Sequence, residues 1–211
     1  MRSHRFLYLL VFYLLIPVAV VFGMLSCSTS KNTAASRFYH NFTTRYNVFY
    51  NGQNAYNDAY DRLLESHTEG YSEEIFLDPI TAQSGQEKAK EGGAFDQAIV
   101  KGRKAIHLHS IRTKPERKQG WQSDPKAVAF QNKREYNRFL HNAWMLVGKS
   151  QFYNADFLQA QATFSYIARL YSNEPIIRDE ARLWQVRCYS EMGWLHEGER
   201  LLERIPKDLP H

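Results

Sequence analysis

Apolar side chains recur along this chain at steps of three and four, the period of a helix face, over most of its length. Residues 6–23 are apolar throughout, and the chain turns polar at Ser28-Thr29-Ser30-Lys31-Asn32-Thr33. Phe38, Tyr39, Phe42, Tyr46, Phe49 and Tyr50 then mark one helix face, and Ala55, Tyr56, Ala59, Tyr60, Leu63 and Leu64 mark a second. The turn signal Asn51-Gly52 falls between them, so the pattern predicts a helical hairpin over roughly residues 36–66. Residues 67–92 lose the period and read as a long loop. Residues 95–111 are helical again, with Phe95, Ala98, Ile99, Ala105, Ile106 and Leu108 as the expected buried set. A second connection over 112–130 contains Pro115, Gly120, Trp121 and Pro125, and beyond it the helical pattern continues with short breaks to about Arg204.

The apolar start has its own logic. Arg2, His4 and Arg5 precede it, and Met24-Leu25-Ser26-Cys27 closes it. A basic start, an apolar stretch and a small residue before a cysteine form a secretory signal, and the Leu-Ser-Cys ending resembles the bacterial lipobox. Cys27 is therefore expected to carry acyl chains and to become the mature N-terminus, with residues 1–26 as signal peptide and 27–35 as a flexible polar tether. The alternative is an uncleaved membrane helix, since about 18 apolar residues is the lower limit for a span. Pro17 within the stretch is tolerated by such a helix but not favoured. Cys188, the one other cysteine, reads as a small buried apolar residue, and no disulfide framework is expected.

Past the tether, two bodies are expected: a helical region over 36–130 with long loops, and repeats over 131–211. The repeat signal is tetratricopeptide-like (TPR), in which small residues stand at positions 8 and 20 and bulky ones at 4, 7, 11 and 24. With position 1 at His141, Trp144 falls at 4, Val147 at 7, Gly148 at 8, Ala160 at 20 and Phe164 at 24; Gln151 departs from the pattern at 11. With position 1 at Asp179, Val186 falls at 8, Tyr189 at 11, Gly193 at 15, Gly198 at 20, Leu202 at 24 and Pro210 at 32. Positions 8 and 20 lie where antiparallel helices approach closely, so Gly or Ala fits there, while bulky positions fill the groove between hairpins. The fold expected is all-α, a short α-solenoid of antiparallel TPR-like hairpins. An ordinary helical bundle is the alternative.

Charge changes the picture little. Removing residues 1–26 deletes Arg2 and Arg5, so the formal charge falls from +5 to +3 and gives no nucleic-acid footprint. Residues 58–96 carry ten acidic and three basic side chains, and residues 101–138 eleven basic and three acidic, which separates two faces or two mutually attracting halves. The run Arg112-Thr113-Lys114-Pro115-Glu116-Arg117-Lys118 reads as a solvated basic loop, with contact to acidic lipid or a partner as the alternative. The tyrosines read mainly as hairpin packing, with an exposed aromatic binding surface as the alternative.

Catalytic chemistry finds no foothold. Val147-Gly148-Lys149-Ser150 resembles the end of a phosphate-binding loop, but Ala143 stands where the first glycine is required, in a helix-forming run. His107 and His109 stand two apart, which sends them to different helix faces, and His141 lies far along the chain. No zinc-protease, paired-cysteine, nucleophile-elbow or dinucleotide-binding pattern is present. The expectation is a non-enzyme without metal, cofactor, nucleic acid or small-molecule substrate. An envelope hydrolase using His107, His109 or His141 is the reading from a different class.

Several segments together carry a resemblance. They are Cys27-Ser28-Thr29-Ser30-Lys31-Asn32-Thr33, Arg37-Phe38-Tyr39-His40-Asn41, Thr44-Arg45-Tyr46-Asn47 and Tyr50-Asn51-Gly52. Further on come Lys104-Ala105-Ile106-His107-Leu108-His109-Ser110-Ile111 and Glu135-Tyr136-Asn137-Arg138-Phe139-Leu140. In order and spacing they resemble the N-terminal part of the SprE/PorW TPR lipoproteins of Bacteroidetes. The resemblance implies an outer-membrane lipoprotein that binds other envelope proteins of gliding motility and type IX secretion. It also implies a periplasmic orientation, because Ser28 to Asn32 lack the acidic residues that mark surface export in that phylum. Members of the family are longer and carry more repeats, so a truncated product, a fragment or a short relative is expected. A TPR lipoprotein of outer-membrane β-barrel assembly is the alternative role.

Overall fold

The computed structural model describes residues 28–66 and 93–207, together with Tyr13. Cys27, the rest of the expected signal segment, the expected loop over 67–92 and Pro210 lie outside the described residues. Every regular element among the described residues is helical. In chain order these are α1 (Ala34–Thr43), a π-helical segment (Thr44–Phe49), α2 (Tyr50–Ser66), α3 (Asp96–His109), a 3₁₀ turn (Trp121–Ser123) and α4 (Pro125–Gln131). Then follow α5 (Leu140–Tyr153), α6 (Phe157–Leu170), α7 (Pro175–Glu191) and α8 (Leu195–Leu202). No helix among the described residues is long and apolar enough to cross a membrane.

Local chemistry sets several of these boundaries. Thr33 caps α1, its Oγ1 accepting the Ser36 N–H at 3.1 Å. Asp124 does the same for α4 through the Lys126 N–H, with Pro125 at the first helical position. Pro175 opens α7 in the same way.

The expected hairpin over 36–66 is not formed. α1, the π segment and α2 run into one another without a break, and Asn51-Gly52 lies inside the helix. Packing decides against a turn. A Cβ on Gly52 would stand 2.9 Å from Leu146 Cδ2 and 3.1 Å from Lys101 Cβ, so the missing side chain is what lets three helices meet. The partner of α2 is instead α3, and the two make the first helix pair.

Each helix packs on the next: α2 on α3, α3 on α5, α5 on α6, α6 on α7, and α7 on α8. Alternate helices touch as well, α2 with α5 and α5 with α7. Three antiparallel pairs, α2/α3, α5/α6 and α7/α8, thus stack into a short α-solenoid. Aromatic rings thread the stack. Tyr60 meets Tyr153 at 5.1 Å between centroids, Tyr153 meets Phe152 at 5.4 Å, Phe152 meets Trp184 at 5.4 Å, and Trp184 stacks on Phe164 at 5.5 Å. Of the set expected to be buried on α3, Phe95, Ala98 and Ala105 are buried, while Leu108 is exposed and Gly102 and His109 take the inner positions.

The segment expected to be a free tether is pinned. Ser36 Oγ donates to the Ser28 carbonyl at 2.9 Å, and Asn32 Nδ2 donates to the Thr113 carbonyl at 2.6 Å. Residues that look flexible because they are small and polar instead supply the capping and bridging hydrogen bonds of the helix start.

Candidate functional site

The two sequence registers, 38 residues apart, coincide hydrogen bond by hydrogen bond at the helical turns. After α5, the Ala155 N–H donates to Phe152 O at 2.9 Å and the Asp156 N–H to Gln151 O at 3.0 Å. After α7, the Gly193 N–H donates to Ser190 O at 3.0 Å and the Trp194 N–H to Tyr189 O at 2.8 Å. Both are helix C-terminal motifs that need one left-handed residue. Ala155 has φ 58° and Gly193 φ 73°. Gly193 is therefore a turn residue and not the packing residue expected, since nothing lies within 4 Å of a Cβ built there.

Most other repeat positions are buried or in side-chain contact. Ala160 and Phe164 are fully buried, and a Cβ on Gly148 would stand 2.6 Å from the Phe164 ring. The Trp144 ring meets that of Tyr166 at a tilt, 4.7 Å between centroids. Tyr189 packs on Trp194 and accepts a hydrogen bond from Gln161 Nε2 at 2.9 Å, while Gly198 is buried against Tyr189. Leu202 is the exception. It is 50 % exposed where its counterpart Phe164 is fully covered, because Trp184 of the following pair lies over Phe164 and no described element lies over α8.

A buried polar node joins four separate segments of the chain. His40 on α1 and His109 at the end of α3 face each other, with Nδ1 to Nδ1 at 2.9 Å. One ring donates and the other accepts, so at least one is neutral. Burial, and next the neighbouring His40 charge, lower the His109 pKa to about 4. Asn137 Nδ2 donates to Thr44 Oγ1 at 2.9 Å and to the His109 carbonyl at 3.0 Å. The Thr44 hydroxyl donates to His40 O at 2.5 Å, at the point where the helix widens into its π segment.

Glu135 completes the node. Its carboxylate accepts from the backbone N–H of Ile111, Tyr136 and Asn137 at 2.8 to 3.0 Å, and from Ser110 Oγ at 2.6 Å. Burial raises this carboxyl's pKa above its ordinary value, and the four donors oppose that rise. The node fastens both ends of the 110–139 excursion to the start of the long helix. No spacing rule exposes it, because its members come from four separate segments.

One surface is unusual for its chemistry. Phe38, Phe42, Tyr46 and Tyr50 recur every four residues along α1, the π segment and the start of α2, and each is 54–70 % exposed. Phe38 stacks on Phe42 at 6.1 Å and Phe42 meets Tyr46 at 4.9 Å. Arg45 lies 5.2 Å over Tyr46 and 5.6 Å over Phe139. These rings were expected mainly to pack a hairpin; with the helix unbroken, they form a continuous exposed stripe. Aromatic side chains beside arginine are the composition of protein-binding anchors.

The remaining candidates resolve into structure. Lys149 sits in mid-helix and pairs with Glu180 at 3.3 Å, so the phosphate-loop likeness has no loop. His107 is exposed on the opposite side from buried His109, as alternate spacing requires. His141 Nδ1 donates to the Arg138 carbonyl at 3.0 Å, and burial lowers its pKa. Cys188 is fully buried, and burial pushes its thiol up to about 12, well away from reactive thiolate. Among the described residues no three His, Cys, Asp or Glu side chains group so as to hold a metal ion. Comparison with known proteins finds no family model and no curated protein that matches this chain.

Proposed function

We propose that this chain is a non-enzymatic, lipid-anchored scaffold of the bacterial envelope that binds a partner protein through its helical stack. The observation that carries the reading is the aromatic stripe Phe38, Phe42, Tyr46 and Tyr50, exposed on the first helix of a repeat array. Repeat stacks owe their use in binding to an extended rigid surface, and here Phe38, Phe42 and Tyr46 already meet ring to ring at i, i+4 spacing. Rings that lose little freedom on binding add contact area at low entropic cost.

The envelope setting rests on the basic start, the apolar stretch and the lipobox-like ending at Cys27. Two or three acyl chains there give stable attachment, at about 0.8 kcal/mol per buried methylene. The resemblance of residues 27–52, 104–111 and 135–140 to SprE/PorW lipoproteins supplies the machinery: type IX secretion and gliding motility, from the periplasmic face of the outer membrane.

Affinity capture of the full chain from detergent-solubilised envelopes, beside a Phe38→Ala/Phe42→Ala/Tyr46→Ala variant, tests the reading. Type IX components that co-purify with the natural chain and are depleted at least tenfold with the variant are the expected result. Capture of β-barrel assembly proteins instead would reassign the role. Equal recovery by both forms would remove the stripe from the account.

A further inference from the structure

A second surface lies where the mature chain begins. Residues 30–37, the loop 113–121 and α4 enclose an open groove of about 930 Å³. Asn32 ties its two walls together by donating to the Thr113 carbonyl at 2.6 Å. Four cations line it: Lys31, Arg37, Lys114 and Lys118. None of the four forms an ion pair among the described residues. Arg37 is oriented by Asn32 Oδ1 at 2.5 Å and lies 5.1 Å over the Phe130 ring. Lys114 donates to the Gln131 carbonyl. Two carboxylates, Glu116 and Asp124, also line the groove, and Asp124 Oδ1 is engaged in capping α4. The balance favours an anion.

Two further observations narrow the anion. Gln131, also in the lining, is 7 % exposed; its Nε2 donates to Pro115 O at 3.1 Å, and its buried Oε1 has no partner. An orphaned buried acceptor asks for an O–H or N–H donor. Trp121 is half-buried in the same lining with Arg117 5.1 Å over its ring, an amphipathic indole beside a cation, the pairing that suits a membrane–water boundary. Position decides the source. Ser28, whose carbonyl is held by Ser36, is the residue after Cys27. Whether Cys27 is acylated or residues 6–23 stay in the bilayer, Ser28 lies at the membrane surface.

We propose that this groove binds the headgroup of an anionic phospholipid, with the phosphate among Lys31, Arg37, Lys114 and Lys118 and a glycerol hydroxyl toward Gln131. The inference rests on the membrane attachment in the functional reading, and on nothing about the partner protein. Binding there fixes how the stack leans on the membrane, and so which way its aromatic stripe points.

The test places the full chain in vesicles of phosphatidylcholine with increasing phosphatidylglycerol. Flotation reports attachment. Quenching of tryptophan fluorescence by a headgroup spin label, taken as the difference between the natural chain and Trp121→Phe, reports the groove. The expected result is Trp121 quenching that rises with phosphatidylglycerol and falls with salt. In Lys31→Glu and Lys118→Glu, about fivefold more phosphatidylglycerol is needed per lysine, the effect of roughly 1 kcal/mol for each basic residue at an anionic surface. Both are exposed lysines without protein partners, so circular dichroism should be unchanged. A chain that floats equally with both lipids while Trp121 ignores phosphatidylglycerol overturns the headgroup site and leaves attachment standing. A chain that floats with neither overturns the attachment beneath it. Soluble glycerol phosphate that shifts Trp121 without vesicles, while phosphatidylglycerol does not, would reassign the groove to a free phosphate ester.

Discussion

Adding one methyl group at two glycines should change stability in opposite directions. Gly148→Ala places a Cβ 2.6, 2.7 and 3.1 Å from three carbons of the Phe164 ring. Restoring ordinary contact near 3.5 Å requires a shift of about 1 Å. Phe164 is fully buried and stacked on Trp184, so the shift propagates into the next pair. Overpacking of this kind costs about 1–3 kcal/mol, and the helix-propensity gain of Ala over Gly returns about 1 kcal/mol. The net expectation is a loss of up to about 2 kcal/mol.

Gly198→Ala is the internal control. Its Cβ would meet Tyr189 Cβ at 3.6 Å and Val186 Cγ1 at 3.9 Å, ordinary contact. Only the propensity term remains, so stability should rise by up to about 1 kcal/mol. Urea unfolding followed by far-ultraviolet circular dichroism reads both. For a chain of this size each kcal/mol moves Tm by roughly 2–4 °C. Phe164→Leu added to Gly148→Ala should recover part of the loss, a coupling that distant sites would not show. If both single variants are stabilised alike, α5 and α6 do not cross at Gly148, and the repeat register is wrong.

Other expectations follow from the same geometry. Ala155→Gly should stabilise by about 1 kcal/mol and Gly193→Ala destabilise by a similar amount, because both occupy the left-handed position of the same turn; chemical denaturation distinguishes them. Glu135→Ala leaves the Ile111, Tyr136 and Asn137 N–H groups and the Ser110 hydroxyl without their acceptor, a loss of about 3 kcal/mol, and limited proteolysis should then cut within 110–139. Acidification should unfold the chain in a defined window. His109 has its folded pKa lowered from 6.5 to about 4, so the unfolded state takes up the proton first as pH falls. Stability is full above about 6.5 and declines toward 4, by about 3 kcal/mol in all. A flat pH profile over that window, or one unchanged in His109→Asn, would count against the buried neutral pair.

The C-terminal half was the more legible part of the sequence, for physical reasons. Trp144, Gly148, Ala160 and Phe164 satisfy contacts within and between adjacent hairpins, so local spacing reports them. Gly193 and Leu202 fit the template yet do different work. A glycine serves a close approach or a positive φ equally well in sequence, and Leu202 would be covered only by an element beyond α8. The Asn51-Gly52 signal misled because a packing glycine looks like a turn glycine until Leu146 and Lys101 are seen beside it. The node of His40, Thr44, His109, Glu135 and Asn137 was invisible to periodicity, since the contacts that join its segments span 24 to 93 positions of chain. The cationic groove was half legible: the basic run 112–118 was plain, but not that Lys31 and Arg37 face it.

In the proposed function the stack hangs from a membrane by lipid on Cys27. Mass spectrometry of the N-terminal peptide, from the chain expressed in full in a bacterium with its native type of envelope, tests it most directly. The expected result is a peptide that begins at Cys27 and carries a thioether-linked diacylglycerol, with the natural chain in the membrane fraction. Cys27→Ser should leave residues 1–26 uncleaved and the acyl mass absent. A natural chain that still begins at Met1, or begins at Cys27 with no acyl group, would contradict it.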